Sequence, residues 1–258
     1  MTKKCYQILL LSFMLMSISV FTYAQQDRNK SIIRLSLKGL EYEVKAGIAI
    51  GGTAPLPLPE EIRSINHYNP TLAISIEGNV TKWFGSKWGT QLGLRLENKS
   101  MKTDATVKNY SMEMISKEGG HMKGMWTGDI KTNVDNSYLT IPVLAMYKLS
   151  NRVKLKAGLY VSYLLDGEFS GSAYNGYLRD EDPTGTKFTV TEATYDFSDD
   201  LRKIAWGAQA GVDWRAFKHL NVFADLTWGL NDIFKKDFKT ITFAMYPIYL
   251  NVGFGYAF

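Results

Sequence analysis

The sequence predicts an all-β protein, an eight-stranded antiparallel transmembrane β-barrel with long extracellular loops. Three observations carry that reading. Apolar and polar residues alternate at period two in eight separate stretches, the links between these stretches alternate long and short, and the chain ends on an aromatic at an apolar position. No apolar run of helix-spanning length follows Gln25, and helical i, i+3, i+4 spacing is rare. The composition, 45% hydrophobic and 21% charged, excludes a disordered or collagen-like chain. A mean hydropathy of −0.15 looks soluble at first sight.

The first element is a leader. Lys3 and Lys4 form a positive start, Ile8 to Phe21 is apolar apart from serines, and Thr22-Tyr23-Ala24 offers small residues for cleavage before Gln25. Residues 1–24 therefore read as a cleaved signal peptide. The apolar stretch is too short for a spanning helix, which needs roughly 20 residues. Cys5 lies within the leader, so the mature chain has no cysteine and no disulfide, thiolate metal site or cysteine nucleophile. Loss of two lysines lowers the formal charge from +5 to +3, which says little about partners, and an exported protein meets no nucleic acid. Residues 25–38 are expected as a periplasmic N-terminal segment and 39–258 as the barrel domain; Ile33, Leu35 and Leu37 could also begin the first strand early.

The eight strands follow in order. Tyr42/Val44/Ala46/Ile48/Ile50 alternate, as do Leu72/Ile74/Ile76/Val80 and Trp88/Leu92/Leu94/Leu96. Leu139 to Leu149 and Val153 to Tyr163 are apolar at every odd position. Ile204 to Trp214, Leu220 to Leu230 and Ile248 to Phe258 complete the set. A soluble sandwich, or a soluble lipocalin-like barrel with its apolar face inward, would alternate equally well. Link lengths favour the membrane barrel. Short links at 83–87, 150–151 and 216–218 share one rim, and long ones at 51–70, 102–136 and 168–201 share the other, with 232–240 intermediate. Trp83, Phe84, Trp88, Tyr147, Phe217 and Phe258 gather at the short-turn ends, as an interfacial girdle requires. These features place the protein in the outer membrane of a Gram-negative bacterium.

The strand Tyr138-Leu139-Thr140-Ile141-Pro142-Val143-Leu144-Ala145-Met146-Tyr147-Lys148-Leu149 resembles that of PorT-like outer-membrane β-barrel proteins of the Bacteroidetes. Ala157-Gly158-Leu159-Tyr160, Leu164-Leu165-Asp166-Gly167, Trp206 to Val212, Trp228-Gly229-Leu230-Asn231-Asp232-Ile233 and Ile248 to Phe258 are similar to later strands of that family. The resemblance covers residues 39–258. It departs at Ala224-Asp225-Leu226-Thr227-Trp228, where members often carry an Arg-Tyr pair. It implies the fold and location, and a link to protein secretion because one member serves such a pathway; many others are described as porin-like.

For the function itself, the alternate faces of the strands are informative. They place Lys45, Arg95, Lys154, Lys156 and Arg215 inward with Glu43, Glu77, Glu97, Asp213 and Asp225, a balanced set. An eight-stranded barrel has an interior that side chains fill, and balanced charges read as a paired network rather than the single-sign ring of a selective channel. A closed scaffold whose loops engage a partner protein or the surface layer is therefore expected; a small porin or channel for ions or small solutes is the alternative. Outer-membrane lipid and lipopolysaccharide are the expected surroundings, and a monomer the expected state.

In the loops, 168–201 carries eight carboxylates against Arg179 and Lys187, net −6, and Thr186 to Phe197 alternates well enough to extend a hairpin above the membrane. Asp180-Glu181-Asp182 lacks the spacing and central Gly of a calcium loop. Met112, Met114, Met122, Met125 and Trp126 either contact a partner or pack onto their own loop. No catalytic, cofactor-binding or metal-ligating residue is assigned. A catalytic reading, motivated only by His67 and His121 in extracellular loops, expects these two to meet beside a carboxylate.

Overall fold

A computed structural model describes residues 39–116, 120–180 and 182–258. The expected leader and the 25–38 segment lie outside the described residues, as does Glu181 of the acidic run. There are ten strands: β1 (Leu40–Pro55), β2 (Ile62–Asn69), β3 (Ala73–Trp83), β4 (Trp88–Ser116), β5 (His121–Lys148), β6 (Val153–Asp180), β7 (Lys187–Asp196), β8 (Ile204–Arg215), β9 (Leu220–Gly229) and β10 (Met245–Ala257). Eight of them close an antiparallel ring in the order β1-β3-β4-β5-β6-β8-β9-β10, with β1 returning to β10 and β4 to β5. These eight contain the eight predicted strands.

The wall has the sidedness of a membrane barrel. Val44, Ile48, Ile76, Leu92, Val143, Leu159, Leu226 and Leu250 point outward and are exposed, while polar residues between them point inward and are buried. Such a face is stable only against hydrocarbon, which gives each exposed methyl the environment that water denies it. Ring closure pairs both edges of each of the eight wall strands, as a lipid environment demands. The lipocalin-like competitor needs the opposite sidedness and does not fit.

The turns on one rim are short. Phe84 N–H donates to Trp88 O at 2.8 Å, Leu149 N–H to Val153 O at 3.0 Å, and Ala216 N–H to Leu220 O at 2.9 Å. Exposed Phe84, Trp88, Phe217 and Phe258 ring this rim, and Trp88 packs on Tyr147 with ring centroids 4.8 Å apart. Trp83 departs from the expected girdle. Its position shares the inward parity of Thr81, and it closes the lumen mouth beneath the Lys148 ammonium, 3.8 Å from the ring centroid.

The opposite rim is where structure and sequence reading part. Strands β4, β5 and β6 run 29, 28 and 28 residues, whereas a tilted strand crosses a bilayer in roughly 9–11. The expected loop 102–136 is therefore mostly strand, folding back at the β4–β5 tip. The expected loop 168–201 is the upper half of β6 plus β7, so the Thr186 to Phe197 alternation does mark a hairpin strand. Above the membrane, β2 adds to β4, and β7 joins β6 to the tip of β4. The projection carries an inverted pattern. Its outward residues are mostly polar, and Met101, Ala105, Val107, Ile130, Val134, Phe169 and Ala173 turn inward and are buried. Water surrounds this part, so the apolar face has to be inside.

Three irregularities keep the inward face apolar where simple alternation would lose it. The β4–β5 ladder shifts between Val107 and Tyr110, with Asn109 at φ 54°, so even-numbered Tyr110, Met112 and Met114 become the buried ones. Asn175, at φ 52°, does the same on β6, and Leu178 turns inward. Asparagine is the non-glycine residue that best tolerates this left-handed conformation. The third shift, between Ser137 and Tyr138 against β6, leaves Leu165 as an extra residue.

Candidate functional site

The interior has two storeys. In the lower one, nine charged side chains are buried: Lys45, Arg95, Lys99 and Lys156 with Glu43, Glu77, Glu97, Asp213 and Asp225. Lys156 Nζ lies 2.7 Å from Asp213 Oδ1 and 2.7 Å from Asp225 Oδ1. Lys45 Nζ stands 3.0 Å from Asp213 and 3.4 Å from Glu43. Arg95 pairs with Glu77 at 3.1 Å and Glu97 at 3.2 Å, and Lys99 joins Glu97 at 3.2 Å. Neutral groups complete the shell: Thr140 Oγ1 donates to Glu97 at 2.7 Å and Asn221 Nδ2 to Glu43 at 2.6 Å.

These bonds cross the lumen. Lys45 on β1 and Asp213 on β8 are three strands apart in a ring of eight, as are Arg95 on β4 and Gln209 on β8, joined at 3.0 Å. Lys154 on β6 and Glu41 on β1 are four strands apart, hence opposite, and meet at 3.0 Å. Phe223 fills the space beneath two ammonium groups, 5.1 Å from Lys45 and 5.4 Å from Lys156. Gly47 makes that possible, since a Cβ there would lie 2.9 Å from the Phe223 ring.

Eight of the ten residues predicted to face inward are buried in this network. Lys154 is half-buried at the short-turn mouth. Arg215 is a correction: it has inward parity but is exposed, because β8 ends there, past the rim, where the lumen opens to water. Lys99 was missed because it follows the last predicted apolar residue of its strand; its alternation with Arg95 and Glu97 was the available signal.

The upper storey is apolar. Lys99 marks the boundary, with its ammonium 5.4, 5.2 and 5.8 Å from the ring centroids of Tyr138, Tyr160 and Tyr249. Above it, Phe169, Phe197, Phe234 and Phe238 form one aromatic stack with Tyr195, at centroid separations of 4.7–6.3 Å. The β9–β10 link supplies Phe234 and Phe238 by folding inward. Arg202 holds it there, donating from Nη2 to Phe234 O at 2.9 Å, while Asp232 Oδ1 accepts Met245 N–H at 3.0 Å. Burial pushes the phenols of Tyr110 and Tyr195 well above their ordinary range.

Met112, Met114 and Trp126 belong to this core and are at most 1% exposed. For these three, and for partly buried Met122 packed against the same core, the structure shows packing onto the hairpin. What the projection offers outside is different: Ile65 and Tyr68 on β2, Ile115 at the β4 tip and Phe188 on β7 are exposed. A cavity of about 410 Å³ at the summit has Met114, Tyr195, Phe197 and Phe238 at its base and Glu113 and Lys123 among its lining residues.

The structure does not bring the two loop histidines together. His67 lies opposite Asp104 and His121 opposite Ile115, eleven positions apart on β4, or roughly 35 Å along the strand. Asp182 is occupied by its turn, accepting the N–H and hydroxyl of Thr184 at 2.7 Å each. Among the described residues, no group of three His, Cys, Asp or Glu side chains is placed to hold a metal ion.

The model of the outer membrane protein beta-barrel domain family matches residues 23–235. The chain belongs to that family. It is accordingly an outer-membrane β-barrel protein of the Gram-negative envelope. Among curated proteins no relative matches. Similar solved structures include Ail, the attachment invasion locus protein of Yersinia pestis, in complex with the heparin analogue sucrose octasulfate; it is 10% identical, with 85% of this chain and 99% of that one covered and a TM-score of 0.41. Neisserial surface protein A is 12% identical, covering 86% and 98%, with a TM-score of 0.30. The outer membrane protease OmpT of Escherichia coli is 13% identical, covering 86% and 97%, with a TM-score of 0.34.

Proposed function

We propose that this barrel is a closed, non-catalytic scaffold that holds a rigid extracellular sheet for engagement by a partner protein or the surface layer. The observation that carries the reading is the pair of seals in series, cross-lumen ion pairs below and an aromatic core above. A solute would have to break several buried ion pairs and then open an apolar core, each costing several kcal/mol. The porin alternative needs an open path instead. The scaffold acts as a monomer, since ring closure leaves no wall strand unpaired.

The engaging surface is the projection. Strand β2 is exposed along nearly its whole length and is paired through one edge, to β4; Ile65, Tyr68 and Phe188 give apolar anchor points on an otherwise polar sheet. A link to protein secretion is supported by the resemblance of residues 138–149 to the PorT-like strand. The test has two arms. Purified protein in planar bilayers is expected to give no stable conductance; a reproducible channel would replace this reading with the porin. Cross-linking in native membranes through a photoreactive residue at Tyr68 is expected to trap a protein or surface polymer that the same probe at Leu226, facing lipid, does not.

A further inference from the structure

The lipid-facing wall carries a groove of about 260 Å³. Ile74 and Ile76 of β3 form one bank and Leu165 of β6 the other, all about half exposed. Leu96, Asn98 and Ser137 lie between them. The ladder shift explains the shape. Tyr138 pairs with Leu164 and Ser137 with Asp166, so Leu165 is extruded from the wall as a ridge. The floor is low because Asn98 and Ser137 are short and turned toward each other, with the Ser137 hydroxyl donating to Asn98 Oδ1 at 2.9 Å.

The lower part of the groove runs into the belt of exposed apolar residues that faces hydrocarbon. The upper end lies at the extracellular boundary, where β3 begins and the outer surface turns polar. There Asp135 Oδ1 accepts Asn98 Nδ2 at 2.8 Å and the Ser100 hydroxyl at 2.6 Å. Glu168 stands opposite Asp135 and Asp166 opposite Ser137, both exposed. An apolar channel thus ends in three carboxylates. Water has no use for the channel, a protein cannot reach it through the bilayer, and a headgroup showing only phosphate oxygens would be repelled at its mouth.

We propose that this groove is a specific seat for one acyl chain of an outer-leaflet lipid whose headgroup donates hydrogen bonds, through an ammonium or hydroxyls, to the Asp135, Asp166 and Glu168 carboxylates. The site is independent of the scaffold reading, since it lies on the opposite side of the wall from the lumen and apart from the projecting sheet's tips.

Native mass spectrometry of the full mature protein in detergent, titrated with phosphatidylethanolamine or with phosphatidylcholine of the same chains, tests it. The two lipids share net charge and tails and differ in headgroup donors. Phosphatidylethanolamine is expected to be retained about tenfold better, the ratio one hydrogen bond to a charged group supports. Ser137→Leu, which fills the floor, and Leu165→Ala, which removes a bank, are each expected to abolish the preference, while Leu226→Ala on the far wall leaves it intact. Asp135→Asn is expected to weaken it without altering phosphatidylcholine retention. Equal retention of the two lipids, or a preference untouched in the folded Ser137→Leu and Leu165→Ala variants, overturns the proposal.

Discussion

Replacing Lys156 by methionine removes the cation that bridges Asp213 and Asp225. The side chains of all three are at most 3% exposed, and both nitrogen–oxygen distances are 2.7 Å. Methionine keeps most of the stem volume, so the effect is electrostatic rather than a cavity. At an effective dielectric constant of about 20, each pair attracts by about 6 kcal/mol, an upper bound because burying the ammonium offsets much of it. After the substitution Asp213 still has Lys45 at 3.0 Å, whereas Asp225 has lost its cation. The expected loss is that of one stranded buried carboxylate, about 3–5 kcal/mol. For a chain of this size that lowers Tm by roughly 6–20 °C. Denaturant unfolding in detergent micelles, followed by tryptophan fluorescence, measures it, and the double variant Lys156→Met/Asp225→Asn should recover most of the loss because the stranded charge is gone. A single variant within about 1 kcal/mol of the parent, the range of solvated surface pairs, would refute the reasoning: the lumen would be wet, and the closed scaffold would go with it.

Other perturbations address the upper storey and its surface. Trp126→Ala, at a fully buried position, should cost about 3–5 kcal/mol and expose the β4–β5 hairpin to protease while the membrane ring stays intact; resistance equal to the parent would contradict the apolar core. Asn175→Val should destabilise by about 1–2 kcal/mol because β-branched residues resist φ near +52°, whereas Asn175→Gly should be nearly neutral. Tyr110 and Tyr195 carry raised phenol pKa values, so the neutral folded form contributes stability that is complete below their unfolded value of about 10 and is lost as pH rises beyond it. Phenolate absorbance from these two should emerge only with unfolding. Tyr174, raised to about 12 by burial and by its hydrogen bond to Asp104 at 2.7 Å, should titrate nearer 10 in Asp104→Asn, which the same absorbance measurement checks.

The membrane part of the barrel was legible because one physical rule governs it. Hydrocarbon outside and a narrow polar lumen inside force a strict alternation, and residues such as Lys45, Glu77, Arg95 and Asp225 could be assigned to the interior from parity alone. Short turns, aromatic rim and closing Phe258 followed from the same logic. The charge network was legible as a composition but not as a set of pairs. Which cation meets which carboxylate depends on strands three and four places apart in the ring, and no local pattern in the sequence carries that distance.

The upper half of the molecule shows why sequence reading stopped where it did. Above the membrane the environment reverses, so apolar residues turn inward on the same strands, and the shifts at Asn109, Asn175 and Leu165 each change the parity midway. A period-two count then reads mostly loop where there is continuous sheet, and leaves Trp126 open between a partner contact and packing onto its own loop. The sequence by itself determined the fold class, the location and the polarity of the wall, because each is imposed locally by solvent on alternate residues. The tertiary structure alone decided that the lumen is tied across, that the supposed loops are a second cored storey, and that a ridge at Leu165 interrupts the lipid face, because these depend on ring closure and register between distant strands.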